Sequence, residues 1–356
     1  MTGTRVGPLV GERDVTFRLD DRDGQIQSVS LLQELRRPRV GPSFERDAAG
    51  SWSLMLERPE VDRMEYRFEV TDVVGLTEAI CDPHNPKRAP GPFGDKSVIE
   101  WPEYRPPGWL EVHGLAGAIT ETEVRSPSLG TAVPIRLWAA EETQPTEELP
   151  LLVVHDGMDY ERYAALTVLL TGLVRDGAVA PLRAALLTPV QRNRWYGASP
   201  LYARALAEDV LPELARVAPA PPGVPRIGMG ASLGALAMLH VQRQLPGSFG
   251  ALFLQSGSFF TVETDSMESG GERFGEITRY VSHLLASPRS GEPIPVVMTC
   301  GTVEENLENN RRVHRALLDQ GYEASLLLHR DAHNWIAWRD AFEPPLVELL
   351  QQQWRA

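Results

Sequence analysis

The sequence is poor in cysteine: Cys81 and Cys300 are its only two, and they lie far apart in the chain. That excludes a disulfide framework and a structural zinc site built on paired CxxC ligands, and it fits a reducing compartment. Positive charge is scarce too, with 35 Lys and Arg against 48 Asp and Glu and a formal charge of −13. Nucleic acids and anionic membranes call for a cationic face, so neither is expected as a partner. Lysine occurs only as Lys87 and Lys96, so arginine supplies nearly all of the positive charge. No stretch approaches the ~20 apolar residues of a membrane span, and the first 17 residues carry Arg, Glu and Asp without a signal-peptide-like apolar run. The expected setting is therefore the cytoplasm. Internal repeats and low-complexity tracts are absent as well. What is there, 356 residues with 42 % apolar and 23 % charged side chains, suits a soluble globular protein of two domains.

Up to Val98 the pattern is one of short apolar or alternating runs, at Val15-Thr-Phe-Arg-Leu19 and over 26–32, 51–56 and 65–70. Turn signals separate them at Asp23-Gly24, Ala49-Gly50 and Arg58-Pro59, which predicts a small all-β sandwich. Asp82-Pro-His-Asn-Pro86 and Ala89-Pro-Gly-Pro-Phe-Gly94 hold too much proline for a helix and read as an irregular strap. The proline-stiffened Trp101-Pro-Glu-Tyr-Arg-Pro-Pro-Gly-Trp109 reads as a link between domains. A boundary is expected near Gly114, dividing the chain into a sandwich at 1–112 and a catalytic domain at 113–356.

Beyond it, apolar strands alternate with amphipathic helices, the sequence form of a parallel sheet covered on both faces. A hairpin over 119–125 and 133–139 comes first, then buried strands over 149–154, 184–190, 226–230, 251–254, 294–299 and 324–329. Helices are expected over 200–217, 233–245 and 305–320, the last stopped by Gly321. The fold class is α/β: an α/β-hydrolase with a mostly parallel central sheet, preceded by the small sandwich.

The sharpest local signal is Gly230-Ala-Ser232-Leu-Gly234 between a buried strand and a helix. A serine on such a turn exposes its hydroxyl at the C-terminal edge of the sheet, and the crowding of the turn demands small neighbours. The N–H of Leu233, at the start of the helix, would face a developing oxyanion. The bland alternative, a serine N-cap with glycines for packing, is less well matched by the strand–helix placement. A second oxyanion donor is expected from His155-Asp-Gly157-Met158, where Gly157 admits a close approach and the N–H of Met158 is the candidate.

Serine is a poor nucleophile at neutral pH, so a base and an orienting acid must come from later loops, in the order serine, acid, histidine. Glu304 is the first carboxylate beyond the strand over 294–299, and Glu305 reads as an opener of the following helix. His333 follows the strand over 324–329 and is the candidate base. His155 precedes the nucleophile, while His240, His314 and His329 lie within helices or a strand.

With these residues placed, the chain resembles the enterochelin (ferric siderophore) esterase family. That family sits within a wider esterase group that includes feruloyl and carbohydrate esterases and mycolyltransferases. The resemblance runs through Gly50-Ser-Trp52, Tyr66-Arg-Phe68, Asp82-Pro-His-Asn-Pro86 and Pro106-Pro-Gly-Trp109 in the first domain. In the second it takes in Asp156-Gly157, Tyr202-Ala-Arg204, Asp209-Val-Leu-Pro212, the Ser232 elbow and Ser256-Gly-Ser-Phe259. It ends with Cys300-Gly-Thr-Val-Glu304, Asn310-Arg311 and His333-Asn-Trp335 with Trp338. It implies Ser232, Glu304 and His333 as the catalytic triad. At Gln191-Arg-Asn-Arg-Trp-Tyr196 the family has Arg followed three residues later by Glu, and here Trp195 stands at the Glu position. Two readings stand side by side here: Arg192 and Arg194 meet an anionic catecholate complex with Trp195 stacked on its rings, or a structural arginine pins this loop to a carboxylate. Trp335 is expected to line the cleft and Trp338 to pack beneath the histidine loop.

The function expected is a serine esterase acting on a catecholate siderophore, an enterobactin-like trilactone, with a small-molecule ester as its partner and no metal or organic cofactor. The alternatives are a carbohydrate or feruloyl-type esterase, an acyltransferase or macrocyclising enzyme and, from another class, an inactive binding protein.

Overall fold

The computed structural model describes residues 7–35, 42–111, 117–140, 143–287 and 292–354. The boundary expected near Gly114, at 112/113, lies outside the described residues. The chain forms two compact units. The first takes in the described residues up to Arg105 together with Gly301–Glu305 and His329–Ala337; the second takes in Pro106–Cys300, Asn306–Leu328 and the chain from Trp338 on.

The first unit is the sandwich. Its strands are β1 (Leu9–Val10), β2 (Asp14–Asp20), β3 (Ile26–Gln33), β4 (Glu45–Arg46), β5 (Ser51–Glu57), β6 (Arg63–Asp72), β7 (Thr77–Ile80), β8 (Arg88–Ala89) and β9 (Lys96–Glu100). One sheet has the order β1-β2-β5-β4 and the other β3-β6-β9-β8, with β7 paired to β6. Alternation along β2 turns Val15, Phe17 and Leu19 to one face, and along β6 it turns Met64, Tyr66 and Phe68 inward. The two sheets meet where the ring of Phe17 packs edge-on against Tyr66 at 4.8 Å. The strap is irregular apart from β8, and polar side chains fix it: Tyr66 Oη donates to Asp82 Oδ2 at 2.7 Å and accepts from Asn85 Nδ2 at 3.1 Å. Ala332, from the distant histidine loop, belongs to this same core.

The other sheet has eight strands, β10 (Ala118–Ser126), β11 (Thr131–Ala139), β12 (Leu151–Val154), β13 (Arg183–Leu187), β14 (Ile227–Ala231), β15 (Ala251–Gln255), β16 (Val296–Gly301) and β17 (Ala324–His329). Their order is β10-β11-β13-β12-β14-β15-β16-β17. The pairs β10/β11 and β11/β13 are antiparallel, while β13, β12, β14, β15 and β16 pair in parallel. Strands β12 to β15 are buried at every position, the mark of a parallel sheet covered on both faces. Chain order reverses about β12, so the loops leaving β12 and β14 flank one crevice at their C-terminal ends, the usual ligand position in open α/β sheets.

The helix expected over 200–217 is interrupted: α-helix at Pro200–Arg204 and Leu211–Val217 flanks a π-helical stretch at Ala205–Val210. Pro212 explains it, since proline has no N–H to bond and its ring crowds the carbonyl four residues back, which widens the turn before it. The helix expected from residue 305 starts at Leu307 instead. Among the described residues no helix is long and apolar enough to cross a membrane.

Candidate active site

The residues singled out from the sequence fall into two groups, one in each unit. In the second unit, Ser232 follows β14 and precedes the helix Leu233–Gln244. Its backbone sits at φ 55° and ψ −123°, a conformation that costs a non-glycine residue roughly 1–3 kcal/mol. Three hydrogen bonds hold it there. Ser232 N–H donates to Gln255 O at 2.9 Å, and its carbonyl accepts from Ser258 N–H at 3.1 Å and from Leu236 N–H at 3.2 Å. The small neighbours are required by contact: a Cβ on Gly230 would lie 2.6 Å from the carbonyl of Gly234. Ser232 is a strained elbow and not an N-cap, since its side chain makes no capping bond to its own helix. Its Oγ instead lies 3.0 Å from Ser258 Oγ. Ser258 was assigned no role from the sequence, although Ser256-Gly-Ser-Phe259 directly after β15 was the available signal. Asn310 fixes that loop, accepting from Gly257 N–H and donating to Gly257 O, both at 3.0 Å.

The loop after β12 leads into the helix Gly157–Ala164, so Met158 N–H lies in a first turn, where the helix offers no acceptor. Leu233 N–H has the same standing in its own helix. Gly157 is required for close packing, because a Cβ there would stand 2.3 Å from Leu186 Cα on β13. The Met158 side chain is 42 % exposed. His155 ties the two loops together. Its Nδ1 lies 3.0 Å from Gly234 O and its Nε2 2.8 Å from Tyr202 Oη, an arrangement met by a neutral ring that donates from Nδ1 and accepts at Nε2. Burial pushes its pKa down to about 4 against the smaller opposing pull of Gly234 O and Asp156, so it is a neutral structural residue.

In the neighbouring segment one expectation needs correction, and for Arg192 the structure shows the loop-pinning contact that was the alternative. Trp195 does not face a ligand: it is 5 % exposed, belongs to the main core and stacks on Tyr202 at 5.5 Å. Arg192 is committed to Asp156, with Nε to Oδ1 at 2.9 Å and Nη2 to Oδ2 at 2.8 Å. Burial alone would lower its pKa, but the Asp156 carboxylate outweighs that and raises it. This fork-to-carboxylate pair anchors the loop carrying Met158, while the Arg192 side chain keeps 37 % of its surface exposed. Arg194 is exposed, with only a long 3.4 Å contact from Nη1 to Gln191 Oε1. Trp338 is buried, and its Nε1 donates to Ser256 Oγ at 3.0 Å in the loop after β15.

In the first unit the structure brings Glu304 and His333 together. His333 Nδ1 donates to Glu304 Oε2 at 2.9 Å, and Gly301 N–H donates to Glu304 Oε1 at 2.8 Å. Glu304 is fully buried, whereas Glu305 is exposed and stops two residues short of the helix that was expected to begin with it. Gly301 has no room for a side chain: a Cβ would lie 2.1 Å from Asp331 O, so the histidine loop closes directly over the end of β16. Burial pushes the His333 pKa down, but the hydrogen bond and charge of Glu304, with the charges of Glu34 and Glu305, outweigh it and hold the ring above its usual value. Trp335 is half-buried in the same unit. Among the described residues no group of three or more His, Cys, Asp or Glu side chains is placed to hold a metal ion.

Residues 126–349 match the family model named Esterase, described as "Putative esterase". The chain is 26 % identical over 301 residues to an iron(III) enterobactin esterase of Escherichia coli O6:H1, covering 82 % of this chain and 72 % of that protein. Among solved structures it is similar to an enterochelin esterase from Shigella flexneri, with a TM-score of 0.76, 20 % identity and coverage of 98 % and 96 % of the two chains. A second structure, of the enterobactin esterase from Shigella flexneri in the presence of enterobactin, gives a TM-score of 0.73 at 21 % identity over 98 % and 97 %. These structures share the fold across nearly the whole chain, sandwich included.

Proposed function

The chain belongs to the Esterase family, and from that premise we propose that it is a serine esterase cleaving the ester bonds of a catecholate siderophore through an acyl-enzyme on Ser232. The observation that carries the reading is the conformation of Ser232, strained at φ 55° between a buried strand and a helix, as a nucleophile must be to present its hydroxyl. In the proposed reaction Ser232 Oγ attacks the ester carbonyl carbon while His333 Nε2 takes the hydroxyl proton. The tetrahedral oxyanion is met by the N–H groups of Leu233 and Met158. Collapse breaks the carbon–oxygen bond, and His333 returns the proton to the leaving alcohol. Water then repeats the sequence on the acyl-enzyme, with its proton passing through His333 and back to Ser232. Glu304, accepting from His333 Nδ1, keeps the imidazole in the tautomer whose Nε2 is free to act as base and stabilises its charged form.

The substrate class rests on the relatives named iron(III) enterobactin esterases and on the structure obtained with enterobactin. Iron enters only as part of the substrate. With Arg192 committed to Asp156, Arg194 is the exposed cation left in its segment for an anionic catecholate, and Trp335 is the aromatic candidate. The cytoplasmic setting belongs to the same proposal. The test is steady-state hydrolysis of a ferric catecholate trilactone and of a simple aryl ester by wild type and Ser232→Ala. Trilactone turnover that disappears in the variant is expected. Turnover of the aryl ester alone would keep the serine mechanism and reject the substrate.

A further inference from the structure

The histidine loop is held by the sandwich, and a buried cation stands at the junction. Arg63, at the start of β6, is 3 % exposed. Its Nη2 lies 2.8 Å from Glu65 Oε1 and its Nη1 donates to Asn334 Oδ1 at 3.4 Å. Asn334 is the residue next to His333, and both its side-chain oxygen and its nitrogen are engaged. Its Oδ1 also accepts from Ala337 N–H at 2.9 Å, and its Nδ2 donates to Asp331 Oδ1 at 3.1 Å. Asp331 Oδ1 accepts from Ala332 N–H at 2.7 Å as well. One residue before Arg63, Asp62 N–H donates to Arg330 O at 3.2 Å, and Arg330 Nε returns a bond to Asp62 Oδ1 at 3.1 Å. Asp62 and Arg63 therefore grip the loop on both sides of the imidazole.

We infer that Arg63 is a positioning residue for His333, acting through Asn334 and Asp331 to keep the imidazole in register with Glu304. The contact made by Arg63 Nη1 favours this over a purely structural ion pair, since it reaches Asn334, beside His333, as well as Glu65. Glu65 Oε2 also lies 3.3 Å from Lys96, which is itself paired with Glu34. Burial pushes Asp331 up to about 7, with Arg63 the largest counter-influence, and a carboxylate so poised would relax its grip on the Asn334 amide if that cation left. Asp331, Glu65, Lys96, Glu34 and Tyr104 are the titratable groups bearing on this cluster, and Glu304, Glu34 and Glu305 those bearing on His333.

The inference rests on His333 being the base, so His333→Ala on the aryl ester is the reference: retained activity there would reject that reading itself. Arg63→Met and Arg63→Lys in the full chain test the inference. The readouts are the thermal midpoint, kcat and KM on the aryl ester, the acid limb of kcat/KM and the low-field proton resonance of His333 Nδ1–H. A small misplacement of a catalytic group typically costs on the order of 10²-fold in rate, so Arg63→Met should lose about 10- to 100-fold in kcat with little change in KM. The His333–Glu304 bond loosens at the same time, so the low-field signal should broaden or vanish and the acid limb should move to lower pH. Lysine cannot serve Glu65 and Asn334 at once, so Arg63→Lys should show the same changes in smaller degree, and it decides the matter if Arg63→Met does not fold. A folded variant with an unmoved acid limb and an intact low-field signal, whatever its kcat, would overturn the inference.

Discussion

Both oxygens of Glu304 are committed, one to Gly301 N–H and the other to His333 Nδ1–H, and the side chain is shut away from solvent. Glu305, one position on, is exposed and contributes only a weaker charge to the same imidazole. Glu304→Gln should therefore cost ~10²–10⁴ in kcat/KM, because a neutral amide neither enforces the tautomer nor balances the imidazolium. Glu305→Gln should cost no more than about threefold. The pH dependence follows in sign. His333 must be neutral to accept a proton and its pKa is raised, so activity should climb with pH through a value above the usual histidine figure of about 6.5. In Glu304→Gln the burial effect is left less opposed, and the acid limb should shift to lower pH. Kinetics across a pH series on both variants checks this. His155, neutral until about pH 4, should not contribute to that limb.

At the scale of the element, the loop after β12 is built to hold one N–H in place. Arg192 and Asp156 clamp it, Gly157 lets it lie on β13, and His155 ties it to the helix after Ser232. Arg192→Met leaves a buried carboxylate without its fork, and about 2 kcal/mol of stability should be lost with a fall in kcat. Arg194→Met should leave stability unchanged and raise KM for an anionic substrate alone. Trp195→Ala should behave as a core truncation, costing roughly 3–5 kcal/mol, which denaturant unfolding of the three variants would separate. These contrasts mark what the sequence conveys and what it withholds. The Ser232 elbow and the alternation of strands and helices along the chain were legible because they follow from local period, glycine spacing and short-range alternation. The pairing of Arg192 with Asp156, 36 positions apart, was not, since nothing local distinguishes an arginine that meets a ligand from one that clamps a loop. Trp195 misled for the same reason: the core that covers it comes from Tyr202 and the interrupted helix, whose π-helical stretch no periodicity reveals. The short strands β1, β4 and β8, two residues each, lack the length to show a period at all.

At the scale of the whole molecule, the chain enters its first unit three times, and the acid and the base arrive in the two short later visits. A linear reading assigns those segments to the hydrolase half by their position after β16 and β17, and only long-range contacts reveal that they pack with the sandwich. The consequence is testable. A fragment of residues 1–112 would lack Ala332 from its core, Val303 packed against that core, and the Asn334 partner of Arg63. It should be markedly less stable than the same residues in the full chain, as judged by amide hydrogen exchange at core positions such as Phe17 and Phe68. Equal protection in fragment and full chain would show that the later segments add nothing to the sandwich.

The central claim is that Ser232 is a nucleophile served by His333 and Glu304, although the three residues are divided between two units. The most direct measurement is the rate at which a fluorophosphonate labels the protein, with the modified peptide located by mass spectrometry. Labelling is expected at Ser232, and it should slow at least ~10²-fold in His333→Ala, with Glu304→Gln in between. Labelling at another residue, or at Ser232 with a rate indifferent to His333, would contradict the account.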